Sequence, residues 1–283
     1  MKKWRKCFVK QYKNLENKPE DEHVLHLWTP LSFEAKRGYH FLPKGIAFSV
    51  FSAILYGIAF PLVSLYNKVM YQCKVVGKEN LEKVEGAKIT ISNHMHPMDC
   101  TMSAMVQAPK QVYFPTLEEN FRIPVINGII KLLHAIPIPQ TIGAKMEFYQ
   151  ALEELIQENK TIHMYPEGSL WPYYPKLRNL KLGAFQLAVK YQIPIVPIVY
   201  KLVTPTGMWE WKSKPCIEIH ILEPEYPRSV IPSQKEEAIR LRDSIKEKME
   251  DVLKDKAETR KEEDILLEIL EEGEEEKDEG RVY

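Results

Sequence analysis

A chain of 283 residues with 45% apolar composition has room for one large or two modest domains and is too apolar for global disorder. Its 39 basic and 39 acidic side chains cancel, which removes the general electrostatic case for a nucleic-acid partner. Cys7, Cys73, Cys100 and Cys216 are too widely spaced for a disulfide framework or a zinc ribbon and fit reduced thiols in a cytosolic setting.

Residues 1–40 read as a basic arm. Lys2, Lys3, Arg5, Lys6, Lys10 and Lys13 carry no acid between them. Such an arm is drawn to anionic lipid by about 1 kcal/mol per basic residue. Residues 41–70 read as a membrane-associating helical segment, uncharged from Gly45 to Asn67 and bracketed by Lys44 and Lys68. About 20 apolar residues reach across a bilayer. Pro61 interrupts the run, so it is one kinked span, two short helices dipping into one leaflet, or a buried core helix. The basic arm belongs on the cytoplasmic side. A single span would then carry the rest of the chain, with its free cysteines, to the far side. A monotopic or re-entrant anchor on the cytoplasmic face is therefore expected.

Residues 71–230 read as an α/β domain. KITIS (88–92), QVYF (111–114), AIPI (135–138), TIHMY (161–165), IPIVPIVY (193–200) and CIEIHIL (216–222) have strand character. Residues 97–108, 142–158 and 180–190 have helical spacing between them. This alternation predicts a mixed, largely parallel sheet flanked by helices and preceded by N-terminal membrane-binding helices. Residues 231–260 hold a C-terminal helix from Gln234 to Lys256, with Ala238, Leu241, Ile245, Met249 and Val252 on one face. The tail 261–283 is too acidic to fold alone, although ILLEIL (265–270) has helical character.

Chemistry concentrates in two places. Asn93-His94-Met95-His96-Pro97-Met98-Asp99 follows a strand and precedes a helix, so His94 falls at the C-terminal edge of the sheet, where α/β folds place ligands. Asp99 falls in the first helical turn, where the dipole favours a carboxylate. From there it reaches back to His94, fixing the tautomer and leaving the other ring nitrogen to accept a proton. Strand TIHMY then runs into Pro166-Glu167-Gly168-Ser169, a tight turn presenting a carboxylate and backbone N–H groups to the same edge.

In this order and separation, these features resemble the glycerolipid acyltransferase family, which includes the 1-acylglycerol-3-phosphate acyltransferases. Asn93, His94 and Asp99 match its N-H-x-x-x-x-D motif, and Tyr165 to Leu170 matches its F-P-E-G-T-R motif. Lys181-Leu182-Gly183-Ala184-Phe185 resembles the K-x-G-A-F segment that follows, and Ile195-Val196-Pro197-Ile198 resembles a fourth, proline-bearing motif. The resemblance covers residues 71 to 225. It implies transfer of a fatty acyl group from acyl-CoA or acyl-carrier protein to a lysophospholipid hydroxyl, in phospholipid biosynthesis or remodelling. His94 is then the base and Asp99 its orienting partner, while Asn93, Glu167, Gly168, Ser169 and Lys181 shape the acceptor site. No metal or other cofactor is implied.

The match departs at two arginines associated with the acceptor's phosphate. Gln140 and Leu170 stand there instead. Each loss removes a charged hydrogen bond of about 1.5–3 kcal/mol. Lys176, Arg178 or Lys181 supplies the missing charge, or the acceptor is a lipid alcohol or glycolipid without a free phosphomonoester. The loop Trp171 to Pro175 suits either a membrane interface or packing on its own domain. Two rival classes are a metallohydrolase, built on His94, His96 and Asp99 but out of register with the H-x-H-x-D-H pattern, and a non-catalytic membrane-binding protein.

Overall fold

The computed structural model describes residues 13–20, 22–24, 29–212, 214–229 and 233–254. The first twelve residues of the basic arm, with Cys7, and the acidic tail lie outside them. Ile46–Tyr71 (α1) is one continuous helix of 26 residues with Pro61 inside it, not two short ones. It is long and apolar enough to cross a membrane, yet only 6% of its apolar window is buried, so it is no core helix either. Its two buried residues are polar. Ser52 Oγ donates to the Leu132 carbonyl at 2.8 Å, and Asn67 Nδ2 donates to Thr101 Oγ1 at 2.9 Å. The helix thus docks through polar groups and leaves Phe51, Ile58 and Leu62 exposed, the reverse of a helix folded for water.

Seven strands follow: β1 Lys74–Val76, β2 Lys88–Ser92, β3 Val112–Leu117, β4 Ala135–Ile138, β5 Thr161–Met164, β6 Ile195–Val203 and β7 Cys216–Ile221. Their order across the sheet is β1-β7-β6-β2-β5-β3-β4. β2 to β6 are mutually parallel, and β7, paired parallel to β1, runs antiparallel to β6. This is the mixed, largely parallel sheet expected. Between strands lie α2 Asp99–Gln107, α3 Ile126–Leu132, α4 Ile142–Gln157 and α5 Gly183–Tyr191, and α6 Gln234–Leu253 ends the described chain. β1 and α3 escape the sequence pattern because three and seven residues are too short to show a period.

Ile89 and Ile91 of β2 face a core built with α4, α5 and α6. Met102 and Val106 of α2 pack on the opposite face with β6 and β7. All five residues of β2 are buried, as a strand covered on both faces requires. The chain after β2 leaves on the α2 face toward β3, whereas the chain after β5 leaves on the α5 face toward β6. Adjacent strands whose connections diverge leave a crevice at their C-terminal ends, and His94 and Glu167 stand there. Part of the stretch read as a basic arm is structural: Ala35, beside the anchor segment's Phe41, is fully buried in the core.

The α2 face carries a buried polar seam. The His163 ring lies 2.8 Å from Thr90 Oγ1 and 3.0 Å from Ser103 Oγ, and Ser103 meets the Tyr200 hydroxyl. Burial, with His94 adding repulsion, pushes His163 down to about 3, and burial takes His96 and His134 down to about 4. Each titrates near 6.5 once unfolded. The unfolded chain therefore binds more protons below that value. Stability is expected to be full above about pH 6.5 and to fall steadily toward pH 4. Urea unfolding across that range checks it, and His163→Asn should remove part of the slope. A flat profile contradicts three buried neutral rings.

Candidate active site

His94 Nδ1 lies 2.6 Å from Asp99 Oδ2. Asp99 is the first residue of α2 and 1% exposed, while the His94 side chain is 23% exposed. A buried carboxylate thus accepts the Nδ1–H hydrogen bond, which leaves Nε2 without the proton. The imidazole stacks on the Tyr165 ring at 4.0 Å and 18°, which fixes its plane. Tyr200 steadies the other side, its hydroxyl donating to the Asp99 carbonyl at 3.0 Å.

Glu167 is buried. Its Oε2 accepts from the His94 backbone N–H at 3.0 Å and from Arg178 Nη2 at 2.7 Å, and its Oε1 accepts from the Arg178 backbone N–H at 3.0 Å. Arg178 Nη1 donates to Ser169 Oγ at 2.6 Å and to the Glu20 carbonyl at 2.9 Å, and its guanidinium lies over the Trp171 ring. Asn93 clamps β2 to β6, donating to the Tyr200 carbonyl at 2.9 Å and accepting from the Tyr200 N–H at 2.8 Å. The side chains of Asn93, Glu167 and Ser169 are therefore bonded inside the protein, where they hold the loop that carries His94. Arg178 is likewise enclosed and is not a free phosphate ligand. Lys176 is bound to Glu16 at 2.5 Å. Of the three candidate cations, Arg178 is buried and Lys176, though exposed, is paired with Glu16, while Lys181 is exposed and lies against Gly168.

Gly168 has φ +80°, and a Cβ there would meet Lys181 Nζ at 2.6 Å. Alanine at this position costs about 1–2 kcal/mol in backbone strain. It also displaces the lysine, so Gly168→Ala should weaken acceptor use more than that stability loss explains. Comparing KM with the urea midpoint tests this. Trp171 is buried, its backbone N–H donating to the His94 carbonyl at 3.1 Å and its indole N–H to the Glu22 carbonyl at 2.9 Å, so that end of the aromatic loop packs on its own domain.

His96 points away from His94: its Nδ1 accepts from the Met98 N–H at 3.0 Å, and its Nε2 lies 3.2 Å from the Tyr173 hydroxyl. Among the described residues, no group of three or more His, Cys, Asp or Glu side chains converges as a metal-binding set. Cys73, Cys100 and Cys216 are free thiols. Tyr165, Arg178 and Tyr200 are the site residues the sequence did not single out in these roles. Only the placement of Tyr165 beside Pro-Glu-Gly, at the end of β5, hinted at one of them.

Residues 72–201 match the family model described as Acyltransferase. A chloroplastic 1-acyl-sn-glycerol-3-phosphate acyltransferase of Brassica napus is 27% identical over 150 residues, covering 51% of this chain and 42% of that protein. The 1-acyl-sn-glycerol-3-phosphate acyltransferase of Saccharomyces cerevisiae is 27% identical over 64% of this chain and 60% of that protein. The crystal structure of the 1-acyl-sn-glycerophosphate acyltransferase from Thermotoga maritima is similar at 20% identity and a TM-score of 0.49, over 74% of this chain and 95% of that one. The chain spans about half the length of the curated relatives it matches. Residues 72–201, which hold His94, Asp99 and the Glu167-Gly168 turn, form a domain of the acyltransferase family.

Proposed function

We propose that this chain is an O-acyltransferase that moves a fatty acyl group from acyl-CoA or acyl-carrier protein to the hydroxyl of a lysophospholipid of the lysophosphatidate type. The single observation that carries it is the His94–Asp99 contact of 2.6 Å, which leaves Nε2 as the base. The acceptor hydroxyl gives its proton to Nε2 as its oxygen attacks the thioester carbonyl. The tetrahedral intermediate then collapses, the C–S bond breaks, and the imidazolium returns the proton to the leaving thiolate. The substrate brings the nucleophile, so no acyl-enzyme forms and no cofactor enters. Asn93, Glu167 and Ser169 act by positioning, and Lys181 faces the acceptor. The exposed apolar face of α1 supports a monotopic anchor on the cytoplasmic leaflet, where thioester donor and lysolipid meet.

A second reading concerns the acceptor alone. With Gln140 and Leu170 at the arginine positions and Arg178 enclosed by Glu167 and Ser169, a lipid without a free phosphomonoester fits the cations that remain. The test of the main proposal is thiol release from acyl-CoA with and without mixed lysophospholipids. Acyl transfer requires release that depends on acceptor. Release without acceptor identifies a thioesterase, and no release under any condition favours a non-catalytic lipid-binding role.

A further inference from the structure

A cleft of about 600 Å³ opens at the same sheet edge. Its walls include Ser32, Glu34 and Lys36 of the N-terminal strap, Glu118 and Arg122 after β3, and Gln140 after β4. β3 pairs parallel with β5, so Glu118, directly after the C-terminal end of β3, stands on the same sheet edge as the turn after β5 that carries Glu167, which holds the His94 backbone. β3 and β2 are two strand spacings apart, about 10 Å. An acceptor lying across the edge from His94 toward β3 and β4 would cross that lateral spacing to meet the cleft.

Glu118 is 1% exposed. Its Oε1 accepts from the Ala35 N–H at 2.7 Å. Its Oε2 is buried with no hydrogen-bond partner among the described residues. Burying a polar atom without a partner is costly, and more so for a charged one. An unmatched carboxylate oxygen at a cleft wall is a place for a donor from outside the chain. The strap is fixed around it: Arg122 Nε donates to the Phe33 carbonyl at 3.2 Å, the Phe33 and Phe121 rings stack at 5.0 Å, and Leu31 N–H donates to the Arg122 carbonyl at 3.2 Å.

We propose that this cleft receives the acceptor's headgroup and that Glu118 Oε2 accepts a hydrogen bond from a hydroxyl or ammonium on it. The acceptor is then a lysophosphodiester with a donor-bearing headgroup. This rests on the acyl-transfer reading and adopts its second acceptor, a lipid without a free phosphomonoester, in place of a lysophosphatidate. Arg122 answers the single charge of a diester, with Lys36, which also pairs with Glu34 at 3.5 Å, beside it. A phosphomonoester brings about 1.5–2 charges and no strong donor to a site with a fixed carboxylate. A quaternary ammonium brings charge without an N–H.

The test measures kcat/KM with labelled acyl-CoA against lysophosphatidylglycerol, lysophosphatidylethanolamine, lysophosphatidylcholine and lysophosphatidate. In the wild type, at least one of the first two should exceed both others by about tenfold, and which one does so distinguishes hydroxyl from ammonium. Glu118→Gln keeps an oxygen for Ala35 and turns Oε2 into an NH₂ donor. It should lower that preference about tenfold. Gln140→Arg, on the exposed rim, should raise lysophosphatidate use without touching Glu118. A wild-type ranking led by lysophosphatidate or lysophosphatidylcholine, or a ranking unchanged in Glu118→Gln, overturns the headgroup assignment alone. No transfer to any acceptor overturns it together with the acyl-transfer reading.

Discussion

Replacing His94 with alanine is expected to lower kcat/KM for acyl transfer by about 10²–10⁴-fold, the usual worth of positioned proton transfer. The fold should survive. The ring is partly exposed, its Nδ1 bond to Asp99 lies at the crevice, and the backbone N–H that Glu167 grips is kept in alanine. Circular dichroism and urea unfolding should match the wild type within about 1–2 kcal/mol, since Asp99 is left with one fewer partner. Turnover near the wild-type value would remove His94 from the chemistry. A collapse of the fold would mean instead that the ring is structural.

Arg178→Met is expected to have the largest effect on stability. The guanidinium and the Glu167 carboxylate are each about 2% exposed and 2.7 Å apart. Removing one partner strands the other charge in the interior, which costs about 3–5 kcal/mol. The loss spreads further, because Ser169 and the Glu20 carbonyl also depend on this side chain. Glu167→Gln added to Arg178→Met should recover part of the stability, since the buried charge is then gone. Urea unfolding of the two variants decides it. A single variant less than about 1 kcal/mol below wild type would mean that the Glu167–Arg178 pair does not hold the turn.

Local pattern carried much of the fold and part of the site. The strands β2, β4 and β5 were legible because each is a short apolar run bounded by turn residues. His94 and Asp99 were legible because one loop carries both, five residues apart. The role of Glu167 was not. Its partner Arg178 lies eleven residues on, past a loop of prolines and tyrosines, and no local rule says whether that carboxylate turns outward to substrate or inward to an arginine. The strap around Phe33 and Ala35 was missed for a similar reason: its contacts with Glu118 and Phe121 are more than eighty residues distant in sequence. The polar docking of α1 was also hidden, since composition reports that a helix is apolar but not which side it presents.

The central claim is that His94 serves as the base when an acyl group passes from a thioester to a lipid hydroxyl. Its most direct test is a time course of acylated product by mass spectrometry, with acyl-CoA and mixed lysophospholipids, for the full chain and for His94→Ala. Product that accumulates with the wild type and stays at background with His94→Ala is the expected result. Equal accumulation with both proteins, or none with the wild type across all donors and acceptors, would contradict it.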